Sequence, residues 1–582
     1  MSFIARRKVG DRVYLEERES YRENGKVKSR FLRYLGTEGP TKGKPITPQH
    51  ILDRIQPSSS YRAGDVGLLW ELAKDLNMPQ TIDKFCPHRF TTHNATPGIL
   101  LTTWAINRLI YPESATQLES WVPTTDIPRL TGVSPDAFTK DSFLYALDKV
   151  CGEDPDTGSL VDRCSNIDGE LYRYWRETHP LPKGERNTLA YDITSMIFFG
   201  VTCPLAELGY NAKNIQDQLQ VNLGILVSRY DHMPVCHSVY EGSRHGVTTV
   251  RNLLTRLSQL CSTQKGESID GTLIWDRGMV SADHVKAVEA MGWQLVCGLP
   301  KTVKAVQDVL DATEVPARPE TLVRHTKTNT IYAVDVEAEL YGKRRRVVVY
   351  LNRARGVKEA DQRNDALADT TEKLKNLSII GEGWTEAKLH KVIDGIVGRW
   401  APYIEVQVRR KGNEYEVDWR YHQHMLRAAE RLDGKWALLV TDPRISVVEA
   451  VNMYLEKDFI EKSFRIMKTE EEMEPVRHRM ERRVRAYEFV QVLALRLRTA
   501  LRWLIKEVAL KEGMNPWESE EELLKVLGRV ERVEVTLGKE SRIWHLNLLK
   551  STRDVLGKIG YGDLFSEEPI AIASKKDNKK DR

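Results

Sequence analysis

The chain has 582 residues, 41% of them hydrophobic and 29% charged, with a formal net charge of +5. A chain this long exceeds one ordinary core, and its composition excludes a disordered or fibrous protein, so three or four globular domains are expected. The longest apolar runs, residues 99–110 and 193–201, are too short to span a bilayer, and no secretion-type stretch opens the N-terminus, which predicts a cytoplasmic protein with no membrane partner.

Residues 12–16 and 28–35 alternate like strands around the turn Glu23-Asn24-Gly25-Lys26, which predicts a basic β-hairpin. A Gly/Pro/Thr-rich linker follows and closes a first segment at residue 48. From about residue 63 to 150, apolar residues recur three and four apart (Leu68, Leu69, Leu72, Leu76; Leu100, Leu101, Trp104), so 49–187 is expected to be a helical domain, with DNA-end binding as a hypothesis beside that plain reading.

After Asn187 the pattern changes to strands at 188–200, 221–228 and 235–240. A helix at 247–260, a strand at 271–276, a helix at 282–291 and a strand at 293–299 follow. Three strands in series followed by alternating helix and strand describe a mixed α/β sheet over 188–303. Residues 304–441 read as a β-rich insertion, and 442–512 as the return to the core through one helix at 446–467 and another at 484–508. The remainder, 513–582, reads as a helical region with a strand at 533–537 and a charged, disordered tail.

The seven cysteines are scattered and none forms a C-x-x-C pair, which favours buried free thiols over disulfides or a thiolate zinc site. Basic residues cluster at 6–33, 343–346, 477–502 and 575–582; each cluster alone reads rather as a solvated face. Four tryptophans of the insertion (Trp384, Trp400, Trp419, Trp436) read as core, and His422 and His424, alternating on one expected strand, as structural.

Three acidic residues stand out. Asp192 interrupts the apolar strand Leu189-Ala190-Tyr191-Asp192-Ile193, where a charge is costly unless it is paired or binds metal. Asp276 ends the strand Thr272-Leu273-Ile274-Trp275, at the strand end where α/β sheets gather ligands, though an Asp opening a turn is also common there. Glu461 belongs to the series Tyr454, Lys457, Glu461, Lys468, spaced three, four and seven, which places all four on one face of a single helix. A plain surface Lys457–Glu461 pair fits the same spacing.

The pattern Tyr454-x2-Lys457-x3-Glu461-x6-Lys468 resembles the signature around the third carboxylate of DDE-class insertion-sequence transposases, in the branch with a β-rich insertion. That signature usually has Arg where this chain has Lys457, so the charge is kept and the two-pronged guanidinium is lost. Tyr191-Asp192-Ile193-Thr194 resembles the family's first motif and Asp276-Arg277-Gly278-Met279 its second, while Gly242-Ser243 stands where members often have Gly-Asn. Tyr34-Leu35-Gly36, Asn107-Arg108-Leu109 and the stretch 477–497 extend the likeness over most of the chain.

The resemblance implies an α/β fold with an RNase H-like core, its first Asp on the first strand, its second after the fourth, and its Glu on a later helix. It implies that Asp192, Asp276 and Glu461 hold two Mg²⁺ or Mn²⁺ ions for phosphodiester cleavage and strand transfer. Tyr454, Lys457, Lys468 and Arg277 would bind DNA phosphates. The implied partners are double-stranded DNA, as terminal inverted repeats and target, and a second copy of the chain in a synaptic complex at the nucleoid. An RNase H-like nuclease without strand transfer, and a non-catalytic DNA-binding protein, remain alternatives.

Overall fold

The computed structural model describes residues 2–9, 12–38, 55–88, 95–153, 157–200, 202–209, 217–262, 271–377, 384–412, 414–512, 519–537 and 540–565. The expected linker between residues 39 and 48 and the tail beyond 565 lie outside these. The chain divides into two compact units, the smaller formed by Met1–Asp65, Thr124–Asp126 and Lys525–Arg582 and the larger by Val66–Pro123 and Ile127–Leu524.

The larger unit is built on one ten-stranded mixed sheet. Its labelled strands are β1 (Thr188–Ile197), β2 (Leu219–Ser228), β3 (Pro234–Glu241), β4 (Thr272–Trp275), β5 (Gln294–Gly298), β6 (Leu322–His325), β7 (Thr330–Leu340), β8 (Lys343–Asn352) and β9 (Lys435–Val440). They lie in the order β3-β2-β1-β4-β5-β9-β8-β7-β6, and the short strand Glu207–Leu208 pairs with β2. β1, β4 and β5 run parallel, whereas β2 and β3 on one side and β9, β8, β7 and β6 on the other pair antiparallel.

The central strands are apolar on both sides because both sides are covered. On one side Ala190, Ile225, Ile274, Val296 and Leu438 pack with residues of α3 (Val447–Glu456), α4 (Asp458–Thr469) and α5 (Glu481–Glu512). On the other, Leu189, Leu226, Leu273, Leu295 and Leu439 pack with residues of α1 (Gly246–Ser262) and α2 (Ala282–Ala290). The helical segment bears out the three-and-four spacing, with helices at Met78–Phe85, Pro97–Ile110, Ala115–Trp121 and Lys140–Val150. It is tied to the core where Arg108 donates to the Glu471 and Glu472 carbonyls.

Three expectations need correction. The segment 304–441 holds four helices as well as six strands among its described residues, and β6 to β9 extend the main sheet rather than forming a separate β-rich body. Its longest helix, Arg353–Asn376, is so charged that its buried stripe (Arg363, Leu367, Thr370, Leu374) is easily passed over. The expected 446–467 helix is two, parted at Lys457, where the Ile460 amide reaches back only to the Lys457 carbonyl and tightens the turn. His422 stands at the N-cap position and His424 in the first turn of the helix Gln423–Leu432, so the two do not alternate on a strand.

The smaller unit holds two three-stranded sheets. In one, Ser2–Val9 adds a third strand to the expected hairpin, Arg12–Glu23 and Lys26–Glu38. Asn24 and Gly25 both have positive φ, as a two-residue hairpin turn of this hand requires. In the other, Ile55–Arg62 and Glu540–Leu546 flank Glu531–Leu537.

Candidate active site

The sheet register brings the first two acids together. Trp275 of β4 pairs in parallel with Tyr191 of β1, so the next residue on each strand, Asp276 and Asp192, lies side by side. Alternation along β1 then fixes the side: Leu189 and Tyr191 face α1 and α2, while Ala190 faces α3 and α4. Asp192 therefore points to the side that carries Glu461.

Several contacts hold the two helices over these acids. Ser446 caps α3 by accepting from the Glu449 amide. Arg324 donates to Asn452 at 2.9 Å and Arg186 to Glu449 at 3.1 Å. At the start of α4 the Phe459 ring stacks on His232 of the β2–β3 turn, with centroids 4.3 Å apart.

Tyr454 and Lys457 then reach the acids. The Tyr454 hydroxyl donates to Asp276 Oδ1 at 2.6 Å. Lys457 Nζ lies 3.6 Å from Asp276 Oδ1 and 4.0 Å from Glu461 Oε1, and so joins a strand-end carboxylate to a helix carboxylate. Glu461 keeps the most open position, with its side chain 61% exposed.

The electrostatics separate the two aspartates. Burial pushes the Asp192 carboxyl up to about 6; Lys457 and the Ile193 amide oppose the rise, and the neighbouring Asp276 and Glu461 add to it. Burial acts the same way on Asp276, but the Lys457 ammonium, the Tyr454 hydroxyl and the Arg277 amide outweigh it and hold that carboxyl below its ordinary value. Burial and the Asp276 charge push the Tyr454 phenol up, so it remains a donor.

The structure thus gathers Asp192, Asp276, Glu461, Tyr454 and Lys457 at one place. Lys468 goes elsewhere: its ammonium donates to the Ser195 carbonyl of β1 and lies 3.2 Å from Glu474, bracing α4 on the strand. The Arg277 guanidinium lies 4.6 Å from the Trp436 ring centroid, near enough for its charge to help lower the Asp276 carboxyl. Lys301 and Arg355 also approach that ring, at 4.1 and 5.2 Å. Trp384, Trp400 and Trp419 pack on the insertion's own core.

One residue was missed in the sequence. A methyl group on Gly298, at the end of β5, would collide with the Tyr454 hydroxyl, so the glycine makes the room that lets Tyr454 cross the sheet to Asp276. A glycine inside a strand pattern is the signal that could have flagged this close approach.

Three carboxylates are hard oxygen donors, the type that Mg²⁺ and Mn²⁺ require. Among the described residues the one trio whose ligand atoms all lie within 4.8 Å of one another is Cys151, Asp162 and Cys164, not these acids. The three acids therefore lie near one another without forming a cluster of that tightness. Burial raises the Asp192 carboxyl, so a charge there is costly without a partner. The described cysteines are buried and unbridged.

Comparison with known proteins gives limited company. No protein-family model matches the chain, and no curated protein matches it. Among solved structures, the cryo-EM structure of a piggyBac transposase synaptic complex with hairpin DNA is similar at a TM-score of 0.36 and 10% identity, over 80% of this chain and 79% of that one.

Proposed function

We propose that the chain is a DDE-type transposase that cuts DNA at the ends of a mobile element and joins the freed ends to target DNA. One observation carries the reading: the β1–β4 register sets Asp192 beside Asp276 on the side of the sheet where Lys457 links Asp276 to Glu461. The strand order β3-β2-β1-β4-β5, with β2 alone antiparallel to the other four, supports an RNase H-like core. The sequence motifs at Tyr191-Asp192-Ile193-Thr194, Asp276-Arg277-Gly278-Met279 and Tyr454 to Lys468 support the same class.

In this reading Asp192, Asp276 and Glu461 would together hold the divalent ions. Bound there, Mg²⁺ or Mn²⁺ supplies Lewis acidity for phosphodiester cleavage. The chain's own residues prepare the place. Tyr454 hydrogen-bonds Asp276 and holds its carboxylate in place, and Lys457 offsets the mutual repulsion of the acids. Lys457 is the phosphate contact that the geometry favours, since Lys468 is engaged with Ser195 and Glu474. The substrate is double-stranded DNA, two copies of the chain pairing two ends, in the cytoplasm at the nucleoid.

Asp192→Ala, Asp276→Ala and Glu461→Ala should each abolish divalent-dependent nicking of element-end duplexes while duplex binding persists. Cleavage at the wild-type rate by any of the three would sink the assignment. Joining of a precut end to plasmid DNA separates a transposase from a nuclease that only hydrolyses.

A further inference from the structure

The three-stranded sheet of the smaller unit has two unlike sides. Residues paired across strands project on the same side. Phe3 pairs with Arg18 and Arg18 with Phe31; Ala5 pairs with Glu16 and Glu16 with Tyr34; Arg7 pairs with Tyr14; Arg22 pairs with Val27. One side therefore carries Phe3, Tyr14, Phe31 and Tyr34 among Arg7, Arg18 and Arg22. Phe3, Phe31 and Tyr34 are 45%, 53% and 53% exposed, far more than aromatic rings of a folding core. Among the described residues the one acid in these rows is Glu16, which is buried and lies 3.7 Å from Arg7 and 3.4 Å from Arg18. On the other side Glu17 and Glu19 close on Arg33 and Arg30, each at 2.6 Å.

We infer that the aromatic–arginine side of this sheet is a docking surface for double-helical DNA, seated in the major groove. Three strands about 4.8 Å apart set the outer strand axes about 10 Å apart, comparable with the groove's width of about 12 Å. Three guanidiniums against one buried carboxylate give the surface the sign that a phosphate backbone requires, and the rings supply apolar contact for base edges such as the thymine methyl. A second copy of the chain fits less well, because two such sides face to face would set arginine against arginine. The inference rests on the DNA-directed reading above and assigns a contact to a segment that reading left without one.

The test uses the full chain and a duplex several helical turns long, with binding followed by fluorescence anisotropy across a salt series. Each lost phosphate contact lowers the slope of log affinity against log salt by about 0.9, so Arg7→Gln/Arg18→Gln should lower it by about two. Glutamine keeps a donor for Glu16, so the sheet stays folded, which circular dichroism checks. Phe31→Ala/Tyr34→Ala should weaken binding at unchanged slope and remove protection of guanine N7 from methylation. The opposite-side pair Arg6→Ala/Lys8→Ala should leave the slope near the wild-type value. Wild-type slope in Arg7→Gln/Arg18→Gln, equal losses from the two pairs, or a loss of self-association without loss of DNA affinity would each overturn the inference. If the wild-type chain nicks duplex DNA with divalent ions while the sheet variants bind normally, only this surface is refuted; absence of duplex binding by the wild type refutes the functional reading as well.

Discussion

Asp192 offers the sharpest quantitative test, because its raised carboxyl makes ionisation a cost to the fold. An aspartate whose carboxyl moves from 3.8 to about 6 on folding binds its proton more tightly in the native state. Its contribution to stability is complete below about pH 4 and is lost as pH rises through about 6. The difference corresponds to about 3 kcal/mol at pH 8. Asp192→Asn removes the ionisation and can retain the hydrogen bond from the Ile193 amide, which is 2.9 Å long. In metal-free buffer the variant should therefore be more stable than wild type at pH 8 by up to about 3 kcal/mol, with the gain vanishing near pH 4. Urea denaturation at a series of pH values measures this, with hydrogen exchange of the Thr188–Ile197 strand reporting the unit that holds the site. Saturating Mg²⁺ should reverse the ranking, since the carboxylate recovers in ion binding what it costs in the bare fold. A variant equal to or less stable than wild type at pH 8, or one stabilised by Mg²⁺ as strongly as wild type, would refute the account of Asp192 as a ligand waiting for a cation.

Gly298→Ala places a methyl against the Tyr454 hydroxyl and should cost about 1–3 kcal/mol, with loss of divalent-dependent cleavage; recovery of stability in Gly298→Ala/Tyr454→Phe would identify the hydroxyl as the obstacle. Lys457→Met removes the cation beside Asp276 and Glu461, so Mn²⁺ binding measured calorimetrically should tighten about ten-fold while DNA affinity falls. Lys468→Met leaves the Ser195 carbonyl and Glu474 without their ammonium and should cost about 1–3 kcal/mol in thermal or urea unfolding. Restoring part of that loss with Lys468→Met/Glu474→Gln would mark Lys468 as a strut, whereas an undiminished melting point with failed DNA binding would return it to the phosphate-binding set.

Much of the larger unit was legible from periodicity. The run 188–197 is an apolar strand interrupted by Asp192, 272–275 is a short apolar strand, and 484–508 repeats at helical spacing, and each forms the element it suggests. The strand Ser2–Val9 was not legible: its Arg6-Arg7-Lys8 run reads as a basic patch, and its pairing with Arg12–Glu23 is what makes it a strand. The 353–376 helix hid for a related reason, since its buried stripe includes Arg363, which is held by Asp433 at 2.7 Å rather than by an apolar core.

By itself the sequence singled out the candidate side chains: Asp192, Asp276 and Glu461, with Tyr454, Lys457, Lys468 and Arg277 beside them. It also determined that Asp192 and Asp276 end or interrupt strands, because strand periodicity is a local property. Only the tertiary structure decided which of these residues meet. The β1–β4 register is a hydrogen-bond pairing between segments far apart in the chain, and it sets the two aspartates level. The tightened turn at Lys457 parts one expected helix into two, sending Lys457 to Asp276 while Lys468 goes to Ser195. A helical wheel counts residues at a fixed angle and so carries no sign of that turn. Packing against the sheet, with Gly298 opening the space for Tyr454, is what chose among the faces the spacing allowed.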